Sequence, residues 1–205
     1  MGASKPMNLS VFGVKVEVGF LFTASAAFLL VFNVNDSIKL ALLFSLLHEM
    51  GHLAAIIICK EKPERISFGL FGMTIVRKSD ITQNYYREFF TAASGPLINF
   101  LIAFLSCLLY VKNKNEFTLK IIIINLIIAV FNSMPVFALD GGRALESLLK
   151  QNFSQNTSEK ILRIVSFFTL VIMMGFGFYV LILTGYNFTF LAISVYLTVL
   201  LFTKS

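Results

Sequence analysis

Six apolar stretches dominate this chain, at about residues 16–34, 39–59, 89–111, 119–137, 161–183 and 187–202. Each comes close to the roughly 20 residues that carry a helix across a hydrocarbon layer. A water-soluble bundle is excluded, because its helices would need polar outer faces. Composition agrees: 57% of the residues are hydrophobic and only 14% are charged, against about 45–50% and 25% in an ordinary soluble domain. The expected fold class is therefore an all-α polytopic membrane protein with about six transmembrane helices. With no internal repeat and no low-complexity linker, residues 1–205 read as a single integral-membrane domain.

The connectors carry the charge. A net charge of +6 is compatible with nucleic acid, but the basic residues lie between the apolar stretches, where they set topology. No nucleic-acid partner is expected; the lipid bilayer is. Thirteen of the seventeen Lys and Arg fall on the side that holds both ends and the loops near 60–88 and 138–163. Both termini are therefore expected in the cytoplasm. Residues 64–78, ERISFGLFGMTIVRK, combine β-branched and aromatic residues around Gly69 and Gly72. They predict a short membrane-associated β-hairpin between the second and third spans. Residues 141–150, GGRALESLLK, predict a short amphipathic helix at the interface. Cys59 and Cys107 read as small packing residues and not as a disulfide framework. The opening MGASKPMNLS lacks the usual cleavage signal and is expected to stay attached.

The second stretch contains LLFSLLHEMGHLAAIII, with both histidines of the chain, His48 and His52, and the acid Glu49. Ionisable groups inside a membrane cost roughly 2.5–3.5 kcal/mol each at the helix centre and are functional by default. Four residues apart, the two imidazoles share one helix face and can chelate one ion, as neutral imidazole is a good zinc ligand. Glu49 projects about 100° around the helix from His48, so it can reach a metal-activated water without being a ligand. A bound zinc lowers the pKa of such a water toward 7, and a carboxylate can take its proton. HExxH in this setting reads as a water-activation device.

Tetrahedral zinc needs a third protein ligand, and no third histidine exists. Cys59 is seven residues beyond His52, about 10.5 Å along the same helix, too far for the same ion. Asp140 stands apart from the other acids. It lies in NSMPVFALDGGRAL, after Pro135 and before Gly141 and Gly142. On position alone it is either a metal ligand or the N-cap of the 141–150 helix. Asn132 reads as an interhelical hydrogen-bonder. A membrane metal carrier would also hold histidines and acids at mid-membrane, but the fifth and sixth stretches offer almost no polar path. A catalytically inactive relative that binds other membrane proteins is the third reading.

HEMGH on one span and NSMPVFALDGGR on a later one, with SGPLIN at 94–99 between them, resemble the site-2 protease family of intramembrane zinc metalloproteases. The likeness covers about residues 40–150, the expected catalytic core, and is nearest the small bacterial branch that includes a sporulation protease. It implies one zinc ion held by His48, His52 and Asp140, with Glu49 as general base and Asn132 near the site, positioning substrate. It implies a membrane-protein or membrane-associated substrate, a bacterial cytoplasmic membrane, regulated intramembrane proteolysis, and an inhibitory or regulatory membrane partner. Gly95, Pro96 and Asn99 are expected as packing and helix-kink residues. Neither the CBS domain nor the PDZ insertion of some relatives is expected here, so regulation is not copied from either.

Overall fold

The structure, a computed structural model, describes residues 7–11, 14–18, 35–60, 63–69, 72–77 and 84–203. Strands β1 (Met7–Val11), β2 (Val14–Val18), β3 (Pro63–Gly69) and β4 (Gly72–Arg77) form one four-stranded sheet in the order β1-β2-β3-β4. β1 and β2 are antiparallel, β2 and β3 parallel, and β3 and β4 antiparallel, with Ser67 opposite Thr74 and Glu17 opposite Ser67. The helices are α1 (Asp36–Ile58), α2 (Tyr85–Lys112), α3 (Glu116–Asn132), α4 (Asp140–Asn152), α5 (Gln155–Thr184) and α6 (Thr189–Thr203).

The expected fold class is corrected by these elements. The protein is not all-α, and the expected hairpin does not stand alone: β3 and β4 pair antiparallel, but β3 also pairs with β2. β3 and β4 are one half of a sheet whose other half comes from the N-terminal region. The reason was present in VKVEV at 14–18, where strict apolar–polar alternation is a strand period and not a helical one. The first expected span, 16–34, begins inside β2, and residues 19–34 lie outside the described residues. Among the described residues three helices, α1, α2 and α5, are long and apolar enough to cross a membrane. The helix in the fourth stretch stops at Asn132 after 17 residues, and that in the sixth has 15. The three long helices make this an integral membrane protein. Their large apolar side chains, such as Ile57, Leu109, Phe168, Ile172 and Ile182, stand exposed, which is tolerable only in lipid.

By its contacts the chain divides into two compact units. One comprises residues 1–83 and 97–129 and contains the sheet and α1. Asn35 caps α1, its side chain accepting the Ser37 amide hydrogen. α2 continues through Pro96, and its Asn99, with Asn125 of α3, is completely buried. The other unit comprises residues 84–96 and 130–205. Its core is Val136, Leu170, Met173, Leu197 and Leu201, flanked by Phe131, Met134, Phe137, Leu139 and Phe190. Within it α5 starts on the cap Ser154 and ends at Gly185, whose φ of +74° is the left-handed stop that glycine adopts without strain. A Cβ on Gly177 would lie 2.9 Å from Leu191 Cα, so glycine there permits the close approach of α5 and α6.

Candidate metal centre

The two histidines are placed by α1. One helical turn apart, both are buried, at 4% and 5% exposure. Their Nε2 atoms face each other at 3.3 Å, with the rings nearly perpendicular. That spacing is informative. Two nitrogens each 2.0–2.1 Å from one ion, at a tetrahedral angle, must stand about 3.3–3.4 Å apart. The contact has the length of an N–H···N hydrogen bond between the rings, and it equally suits two corners of a tetrahedral site. Glu49, the next residue of the helix, is half-buried.

The polar environment of His48 is specific. Its Nδ1 lies 2.7 Å from Asn99 Oδ1. The Asn99 amide donates to Asn125 Oδ1 at 2.8 Å and to the Phe44 carbonyl at 3.3 Å, and the Asn125 amide donates to the Ile121 carbonyl at 2.9 Å. Neither asparagine was expected in this role. Asn99 was expected as a packing or kink residue, and Asn125 carried no expectation. The available signal was an amide within IIIINLIIAVF, since an unpaired amide in an apolar interior costs several kcal/mol and so must have a partner.

Asp140 is set by a different piece of chain. The turn from 133 to 139 is pinned by its own backbone: Met134 N–H donates to Phe131 O, Val136 N–H to Met134 O, and Leu139 N–H to Val136 O. Ser166 of α5 holds it from the side, its Oγ accepting the Phe137 amide hydrogen at 2.9 Å and donating to Pro135 O at 3.4 Å. The first turn of α4 rests on this loop at Gly141 and Gly142. A Cβ on Gly141 would be 2.6 Å from Met134 O and one on Gly142 2.8 Å from Phe137 N, with Ser133 O and Val136 O closer still. No real Cβ makes such contacts, so the two glycines are steric necessities here. Leu139 is the N-cap of α4 and offers no side-chain cap, and Asp140 is the first helical residue. The capping alternative therefore does not describe Asp140. Its carboxylate is only 13% exposed and has the Arg143 guanidinium 3.9 Å away. Asn132, half-buried, closes α3 just before this turn.

His48, His52 and Asp140 are the candidate ligands, each able to offer one ligand atom. Two imidazoles and a carboxylate are a donor set that suits zinc with a fourth position open. Among the described residues the next turn of α4 holds a further charged pair. Lys150 Nζ meets Glu146 Oε1 at 2.7 Å. Burial works against the Lys150 charge, but the Glu146 hydrogen bond and the carboxylates of Glu146, Glu88 and Glu159 outweigh it and hold its pKa above the ordinary lysine value.

Known proteins resemble this chain. Residues 112–176 match peptidase family M50, a segment containing the Pro135–Gly142 turn but not the histidine helix. A zinc metalloprotease of Methanocaldococcus jannaschii is 26% identical over 179 residues, covering 82% of this chain and 52% of its own length. The chain thus spans about half the length of that relative. A solved site-2 protease from Methanocaldococcus jannaschii has the same fold, with a TM-score of 0.61 at 22% identity over 94% of this chain and 91% of that chain. The chain is thus similar to peptidase family M50 over residues 112–176 and shares its fold with a solved site-2 protease.

Proposed function

We propose that this protein is an intramembrane zinc metalloprotease that hydrolyses a peptide bond within or beside a transmembrane or membrane-associated segment of a substrate protein. The observation that carries the reading is the 3.3 Å separation of two buried Nε2 atoms on one helix, a spacing that suits tetrahedral ligation. His48, His52 and Asp140 would hold one zinc ion. Zinc bound there would supply Lewis acidity and lower the pKa of a neighbouring water to about 7.

Glu49 stands one residue from His48 on α1, and its role is that of general base. It accepts a proton from the attacking water and returns it to the leaving nitrogen. Asn132, one residue before the pinned turn that delivers Asp140, is suited to hold the substrate backbone by an amide hydrogen bond. A substrate helix hides its peptide bonds and must be extended before attack. The distribution of Lys and Arg supports both termini in the cytoplasm of a bacterial cell, and regulated intramembrane proteolysis is the process such an enzyme serves.

The test is co-expression with single-pass membrane proteins, comparing wild type with Glu49→Gln. The variant should keep stoichiometric zinc and lose the product band. A product band of wild-type strength from Glu49→Gln would remove Glu49 from its role. Purified wild type with no bound zinc would end the metalloprotease reading.

A further inference from the structure

Buried amides need both their donors and their acceptor matched, and around His48 this requirement has only one solution. Asn125 faces the carbonyl of Ile121 at 2.9 Å. A backbone carbonyl can only accept, so Asn125 must turn its Nδ2 there and its Oδ1 toward Asn99. Asn99 must then present Nδ2 to Asn125, at 2.8 Å, and the Phe44 carbonyl at 3.3 Å demands the same nitrogen independently. Only Oδ1 of Asn99 is left for His48 Nδ1, 2.7 Å away. An amide oxygen accepts, so the proton of a neutral His48 sits on Nδ1. Two main-chain carbonyls, on α1 and α3, thus dictate through two side chains which nitrogen of one imidazole is bare.

We propose that Asn99 and Asn125 form a relay that fixes His48 as the Nδ1-protonated tautomer, with Nε2 bare and aimed at the metal position. Asn99 is a positioning residue, acting only through His48. The inference deepens the metalloprotease reading and rests on it for the identity of the metal. Both asparagines are fully buried, so water cannot take over either hydrogen bond. This is the outer partner that metal-ligating histidines generally require to hold tautomer and ring orientation, and its loss typically costs about 10–100-fold in metal affinity.

The chain has only two histidines, which makes the tautomer directly readable. Metal-free protein labelled with 15N-histidine in detergent micelles, with His52→Gln used for assignment, should show His48 protonated at Nδ1. In Asn99→Leu this preference should disappear, and zinc affinity measured by chelator competition should fall by about 10–100-fold. Asn99→Asp keeps an acceptor toward Nδ1 but leaves Asn125 Oδ1 and the Phe44 carbonyl without their donor, so it should retain the tautomer while losing stability. Ser106→Ala, a buried change elsewhere on α2, should alter neither.

Wild-type His48 protonated at Nε2 would overturn the relay. So would a folded Asn99→Leu with unchanged tautomer or unchanged zinc affinity. If Asn99→Leu fails to fold, the tautomer of Asn99→Asp decides: a folded Asp variant in which His48 is not protonated at Nδ1 overturns the relay. Wild type with the fixed tautomer but no zinc would sink the metalloprotease reading alone.

Discussion

Gly142→Ala tests the mechanical basis of the site. The added methyl would stand 2.8 Å from Phe137 N, whereas ordinary contact begins at 3.4 Å. The strands of backbone must therefore part by at least the difference, about 0.6 Å, and further at Val136 O, which is nearer. No side chain can swing aside to absorb this, because every close neighbour is main chain. The loop cannot yield easily either, as Ser166 grips it at Phe137 and Pro135. Overpacking costs typically about 1–3 kcal/mol, and a pinned backbone puts this case at the upper end. Three kcal/mol is about a hundredfold in the folded-to-unfolded ratio and, for a chain of this size, lowers the melting midpoint on the order of ten degrees. Asp140 is two residues away, and a misplacement approaching 1 Å costs up to about a hundredfold in a positioned site. Thermal unfolding in detergent and zinc affinity should both fall. Gly175→Ala is the matched control: nothing lies within 4 Å of its Cβ position, and alanine in mid-helix gains up to about 1 kcal/mol over glycine. If Gly142→Ala melted with the wild-type midpoint while binding zinc normally, the steric account of the double glycine would be wrong.

Other substitutions read single interactions. Asp140→Ala should abolish stoichiometric zinc, measured by metal analysis after dialysis, while leaving helix content by circular dichroism unchanged. Ser154→Ala removes the cap of α5 and should cost about 1 kcal/mol in the unfolding midpoint. Lys150 has its pKa raised in the folded protein, so its contribution is complete below the ordinary value of about 10.4. That contribution is lost as pH rises through the higher folded value. Glu146→Gln should flatten this alkaline loss and cost about 0.3–0.5 kcal/mol at neutral pH, as an i,i+4 pair does; unfolding midpoints as a function of pH decide it.

How much of the fold was legible depends on which period the residues carry. α1, α2 and α5 fill long apolar windows, and length alone marks them. VKVEV at β2 alternates visibly, yet the apolar residues that follow pull it into a helical window. The sheet was harder, because pairing β2 to β3 joins residues about fifty positions apart, and no local pattern encodes that register. The short α3 and α6 show the opposite effect. Their apolar runs suggest full spans, but the backbone leaves the helix at Asn132, where the Pro135 turn begins.

The site was legible in proportion to the cost of its residues in an apolar setting. His48, His52 and Glu49 are expensive in hydrocarbon, so a function could be argued from their presence alone. Asp140 was ambiguous because a carboxylate at a helix start is useful without a metal; its place inside the first turn, with Leu139 at the N-cap, removed the capping alternative. Asn99 and Asn125 stayed hidden because asparagine in a membrane helix is explained equally well by any interhelical hydrogen bond. Only three-dimensional direction separates the cases. Asn125 points at a carbonyl of its own helix and at Asn99, Asn99 points at His48, and each acceptor fixes the next donor. A sequence records that amides are present in the apolar layer, but not which of their two ends faces the histidine, and it is that orientation which decides which ring nitrogen carries the proton.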